Sequence, residues 1–175
     1  MNTRTVLMGI VVAVIAVGCG SDAAESAVSA PDITAEVAAE LSARALDRAC
    51  VLHCGELDVY VRDSVSSATA LVGEEIKMDQ ITRTAIAASV DVVEFVTAGR
   101  ADELVGDGGM VDPTAVMLWV APAAELGDGV VGIDVGVATA HDGFRYETHQ
   151  FSWSGASWEL VTAEETGITV TTAVS

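Results

Sequence analysis

The sequence predicts an α+β domain: two N-terminal helices packed on an antiparallel β-meander of about five to seven strands. Three observations carry this expectation. Apolar residues recur at three- to four-residue spacing only in the first half of the chain. Beyond Val92, short β-branched runs follow one another between Gly- and Asp-rich turns. Apolar residues make up 51% of the 175, enough for one core and short of two.

In chain order, Ser29-Ala30-Pro31-Asp32 reads as a helix start, with Ser29 as N-cap and Asp32 at the positive end. Ile33, Val37, Leu41, Ala45, Ala49 and Leu52 then form one stripe, and Gly55 offers the left-handed residue that stops a helix. Residues 57–62 alternate as a strand, and a polar stretch runs to about residue 77. Residues 78–90 return to helical spacing, with Asp79 as a cap. Residues 92–97 read as a strand, followed by a loop around Gly106-Asp107-Gly108-Gly109.

The expected meander comprises 114–121, 129–141, 144–153, 157–162 and 168–174. Asp142-Gly143 is a two-residue type I′ hairpin signal. Val131, Ile133, Val135 and Val137 mark one strand face as core, while Gly132, Gly136 and Ala138 are too small to shield the other. The order helix, strand, helix, meander is similar to cone-shaped α+β folds such as the nuclear-transport-factor-2-like and cystatin-like families. That similarity is one of element order and implies nothing about function.

The formal charge is −18, and one unit more negative if Arg4 leaves with an N-terminal leader. Such a surface repels phosphate backbones, so nucleic acid is not an expected partner. It also keeps the folded body off an anionic lipid surface. Its plain reading is solubility, and the alternative is a cationic partner or divalent cations.

Met1-Asn2-Thr3-Arg4 forms a short positive segment, and Val6 to Val17 is an uncharged run. A spanning helix needs about 20 apolar residues, so this run has the length of a signal-peptide core instead. Ala16-Val17-Gly18-Cys19-Gly20 follows. This resembles the lipobox of bacterial prolipoproteins, where a small residue precedes an invariant cysteine that receives a diacylglyceryl group before the leader is removed. Gly18 and Cys19 match the pattern, and Ala16 stands where Leu is usual. The resemblance covers about the first 20 residues. It implies a signal peptide over 1–18 and a lipid anchor on Cys19. The protein would then be exported and held in the cell envelope, on the outer side of the cytoplasmic membrane or in the outer membrane. The competing reading is an ordinary secretory signal cut near Ala23-Ala24. Residues 19–30 are small and polar and read as a flexible tether, leaving 31–175 as a single globular domain.

With three cysteines in an exported chain, one is odd. Cys50-Val51-Leu52-His53-Cys54 sets two of them one helical turn apart on one face, within disulfide reach. Pairing Cys50 with Cys54 leaves Cys19 as the free thiol, in accord with lipidation. A disulfide closing so short a loop stabilises by about 2 kcal/mol. The alternative is a soft metal on Cys50, His53 and Cys54, but no fourth ligand stands near in sequence and the spacing fits no zinc motif. The spacing is not the C-x-x-C of redox sites either.

No G-x-S-x-G, H-E-x-x-H or phosphate-cradling glycine loop occurs, so no cofactor is expected. The loops at Asp107-Gly108-Gly109 and Asp128-Gly129 lack the ordered oxygen ligands of an EF-hand, leaving only loose calcium binding. His141 and His149 flank the Asp142-Gly143 turn. In a two-residue register His149 lies opposite Gly136 and diagonal to Asp134, the arrangement of an oriented general base. Trp119, Trp153 and Trp158 are expected in the core or as cross-strand pairs, with Trp153 or Trp158 partly exposed beside its turn. Two functional classes follow. The leading one is a non-catalytic, envelope-anchored domain that binds an envelope protein, a cell-wall component or a small ligand. The other is a small exported enzyme using Asp134 and His149 as an acid–base pair in a sheet cavity.

Overall fold

The structure, a computed structural model, describes residues 29–65, 76–91, 93–106, 108–161 and 171–173. The leader, Cys19 and the tether up to residue 28 lie outside the described residues. So do 66–75, Val92, Asp107 and most of the last expected strand.

In order, the elements are α1 (Ala35–His53), β1 (Asp58–Arg62), β2 (Ser64–Val65), β3 (Ile76–Lys77), α2 (Gln80–Ser89), β4 (Val93–Val96) and α3 (Ala98–Leu104). Then come β5 (Val105–Gly106), β6 (Gly109–Met110), β7 (Ala115–Val120), β8 (Ala124–Gly127), β9 (Val130–Thr139), β10 (Gly143–Trp153), β11 (Trp158–Leu160) and β12 (Thr171–Ala173). The α+β class is as predicted. Helix α1 begins later than expected, because Thr34 caps it in place of Ser29: the Thr34 hydroxyl accepts from the Val37 N–H. Pro31 disfavours helical geometry at Ala30, which removes the earlier start. Asp79 caps α2 as read, its carboxylate accepting from the Thr82 N–H at 2.7 Å.

The main sheet has eight strands in the order β11-β10-β9-β7-β1-β4, with β12 added on β10 and β8 on β9. It departs from the expected antiparallel meander in one respect. Strand β1 lies between β4 and β7 and runs parallel to both. Parallel neighbours need a crossover, and α2 supplies one between β1 and β4. The third helix, α3, is a correction as well. At seven residues it is too short to show an apolar stripe, and its start is set by Thr97, whose hydroxyl accepts from the Arg100 N–H.

The β9–β10 hairpin differs from its sequence signal, and the difference decides the site. Thr139 pairs with Gly143, so the loop is Ala140-His141-Asp142 and Gly143 takes the positive φ of 68°. A type I′ turn needs positive φ at Asp142 too, which it does not have. Instead the Thr139 hydroxyl accepts from the Asp142 N–H at 3.0 Å and holds the three-residue loop. His149 now pairs with Ile133 in place of Gly136. A shift by an odd number of residues turns every side chain of β10 to the other face.

Both faces of the sheet are covered. On one side Leu41, Ala45, Leu46 and Ala49 of α1 and Ile86 of α2 pack on Val61, Leu118, Ile133, Val135 and Phe151. On the other, Met117 and Trp119 of β7, Ala101 of α3 and Met110 form a second, smaller core. Here the expectation of an unshielded small-residue face is corrected. Trp119 pairs with Gly136 across the β7–β9 ladder and its indole occupies the space that a Cβ at 136 would fill. Leu126 of β8 packs over Gly132, its Cδ1 3.0 Å from where a Cβ would stand.

Candidate functional site

Cys50 and Cys54 are joined in a disulfide, with Cα atoms 4.7 Å apart. Cys54 is the C-cap of α1 and Gly55 follows at φ 55°, so the bridge closes the last helical turn. Both thiolates are thereby removed as metal ligands, and the Cys50–His53–Cys54 metal alternative has no basis in this state.

His53 does something else. It extends the buried stripe of α1, four residues after Ala49, and so points at the sheet. The strand it meets is β10, where Arg145, Glu147, His149 and Phe151 alternate onto the α1 side. His53 Nε2 lies 2.5 Å from Glu147 Oε1, and Arg145 Nη1 lies 3.3 Å from His53 Nδ1. A guanidinium only donates, so Nδ1 accepts and the ring proton is on Nε2, donated to Glu147. His149 Nε2 is 3.3 Å from the other carboxylate oxygen, within ion-pair reach but off the line of a hydrogen bond. Glu147 and His149 are both buried, 7% and 5% exposed.

The Glu147 carboxyl is held down from 4.5 to about 2. The adjacent His149 is the largest cause, burial opposes it, and the His53 hydrogen bond and the charges of both imidazoles add to the lowering. This has a consequence for acid stability. The folded carboxyl binds fewer protons than the unfolded one, so its contribution is complete above about 4.5 and is lost as pH falls toward about 2. Urea titrations across that window are expected to show stability rising with pH. Glu147→Leu should flatten the slope, and an unchanged slope in the variant would assign the effect to other carboxylates.

The predicted Asp134/His149 pair is not formed. Asp134 lies on the opposite face, where the Thr148 hydroxyl donates to its Oδ1 at 2.6 Å. The register of the hairpin is the reason: His149 faces α1 and is opposite Ile133. His141 is exposed in the hairpin loop. The depression next to the buried cluster, between His53, Thr139, Asp142 and Arg145, is too tight to admit a water molecule.

Two roomier clefts lie elsewhere, one of about 530 Å³ beside the disulfide, between Cys54, Leu57 and Val90, and one where the described chain begins. Residues 29–33 run along the β8–β9 turn and the Trp153/Trp158 pair, and enclose about 570 Å³. The two tryptophans are cross-strand partners on β10 and β11, edge-to-face with centroids 5.7 Å apart. As expected, they split in exposure: Trp158 is buried and Trp153 half-buried. Asp128 holds a left-handed conformation, φ 53°, between Gly127 and Gly129 in the tight turn that forms the cleft's far side. Ala30 rests against Gly129. Among the described residues, no group of three or more His, Cys, Asp or Glu is placed to hold a metal ion. No family model, curated protein or solved structure matches this chain.

Proposed function

We infer that this protein is an exported, lipid-anchored envelope protein whose folded domain binds a ligand or partner without transforming it. One observation carries the reading: the titratable cluster lines neither of the two accessible clefts. The cleft at residues 29–33, Asp128 and the two tryptophans shares no residue with the His53–Glu147–His149 cluster. A volume near 570 Å³ falls within the range that small ligands occupy, about 300–1,000 Å³. The general base proposed for an enzyme, Asp134 with His149, is divided between two faces of the sheet.

Anchoring at Cys19 rests on the lipobox resemblance and on the cysteine count, since the Cys50–Cys54 disulfide leaves Cys19 as the odd thiol. Two acyl chains hold stably to a membrane where one does not. The tether then places the cleft close to the point where the chain leaves the membrane. Cys19→Ser is expected to move the protein from the membrane fraction to the soluble one and to abolish incorporation of labelled palmitate. Undiminished labelling would refute the anchor. For binding, an envelope-permeant crosslinker placed at Trp153 should capture a partner or ligand that a placement at His141 does not. Equal capture at both would remove the cleft from consideration.

A further inference from the structure

Resting on that reading of the cleft, the geometry points to an organic cation as its ligand: a guanidinium or alkylammonium group, free or on a basic peptide. The walls supply two things. Asp32, Glu125 and Asp128 place three exposed carboxylates at the rim, and no Lys, Arg or His lines the cleft. Trp153 and Trp158 supply the aromatic wall. Their indole Nε1 atoms are buried and without a partner, so the rings show the cleft carbon surface and not N–H donors.

That combination discriminates among ligands. An anion meets three like charges with nothing to offset them. A neutral hydroxyl-rich ligand finds acceptors at the rim but no indole donor. A guanidinium or ammonium with an apolar stem satisfies both walls, its charge facing the carboxylates and its body on aromatic carbon. The molecule already uses this contact internally, with Arg44 Cζ 5.0 Å over the Phe151 ring and Arg83 Cζ 4.7 Å over Phe95. Arg44 itself is engaged, donating to the Trp158 carbonyl at 2.8 Å. A bare divalent ion would ignore the aromatic half of the site. The overall charge of −18 draws cations to this surface from a distance.

The test is tryptophan fluorescence of the full chain, purified in detergent, titrated at low salt. The probes are N-acetyl-arginine amide, its neutral isostere N-acetyl-citrulline amide, maltose and calcium chloride. Only the arginine derivative is expected to give a saturable change. Salt at about 0.5 M should weaken it, since rim charges are screened. The double variant Glu125→Gln, Asp128→Asn should weaken it about fivefold, as two exposed charge contacts would. Asn tolerates the left-handed backbone of Asp128, so that variant keeps the turn. An Arg-Gly-Arg peptide binding more than about tenfold tighter than the single amide would support a peptide source. Comparable affinity would support a free cation. Equal binding of the citrulline derivative, or a calcium response of the same form, overturns the cation assignment. A response to maltose alone also overturns it while leaving the cleft a ligand seat. Silence with every probe, with no crosslinked product at Trp153, removes both readings.

Discussion

Glu147→Leu is expected to destabilise the domain by about 3 kcal/mol, read as a lower urea midpoint at unchanged slope. The side chain keeps its volume, so the loss is electrostatic and not a cavity effect. Without the carboxylate, the proton on His53 Nε2 points into an apolar surround, and Arg145 Nη1 remains on Nδ1 with no counter-charge behind it. A buried donor stripped of its acceptor costs about 1–3 kcal/mol, and an uncompensated buried charge adds to that. The consequence is local first. His53 is the last residue of α1, and its bond to β10 ties the disulfide-closed helix end to the sheet. Hydrogen exchange at the last turn of α1 should therefore accelerate before that of β9. Replacing the whole cluster tells more. His53→Leu, Glu147→Leu and His149→Leu together remove the buried carboxylate and both imidazoles, leaving only the half-exposed Arg145, which can turn to water, and the triple variant is expected to recover most of the loss. A single variant within about 0.5 kcal/mol of the parent would show that the cluster does not clamp the helix.

The class of the fold was legible because periodicity reports it directly: helical spacing in α1 and α2, a continuous apolar run in β7, alternation in β9 and β10. The Trp153/Trp158 pair was legible for the same reason, since a short turn between two aromatics sets them opposite each other. Two things were not. Parallel pairing of β1 with β4 and β7 is a long-range choice, and nothing in residues 57–62 records which strands will flank them. The site failed on one turn. Asp142-Gly143 carries a strong local signal for a two-residue hairpin, yet the Thr139 hydroxyl and the free φ of Gly143 stabilise a three-residue loop instead. That one difference moved His149, together with Glu147, from the face of Asp134 to the α1 face, where both meet His53. A signal for the true cluster was present all the same. Arg145, Glu147 and His149 alternate with Phe151, and a strand face that must bury Phe151 buries its neighbours two and four residues away. Charged residues on such a face call for a partner from the opposing helix, and His53 lies on the buried stripe of α1.

Gly136→Ala is expected to cost about 3 kcal/mol although it adds a single methyl group. The added Cβ would fall inside the Trp119 indole, closest to Cε2 and Cζ2. The ring cannot slide away cheaply. Phe144 and Tyr146 hold it edge-to-face, with centroids at 6.4 and 5.7 Å. The β7–β9 ladder fixes Trp119 directly opposite Gly136, so relief requires breaking that register or expelling the ring. Expulsion would open the smaller core formed by Met117, Ala101 and Ala138. Truncating the ring should then remove the conflict. In Trp119→Val, which is destabilising by itself, adding Gly136→Ala is expected to cost little, because the methyl group enters vacated space. The double-mutant cycle should give a coupling of about 2 kcal/mol. Additivity within about 0.5 kcal/mol would mean that the indole does not sit on Gly136. The cycle bears on function as well as stability. Gly136 and Trp119 lie on the face opposite the Arg145–Glu147–His149 row, so a coupled loss that leaves the pH slope intact shows that each face is held by its own contacts.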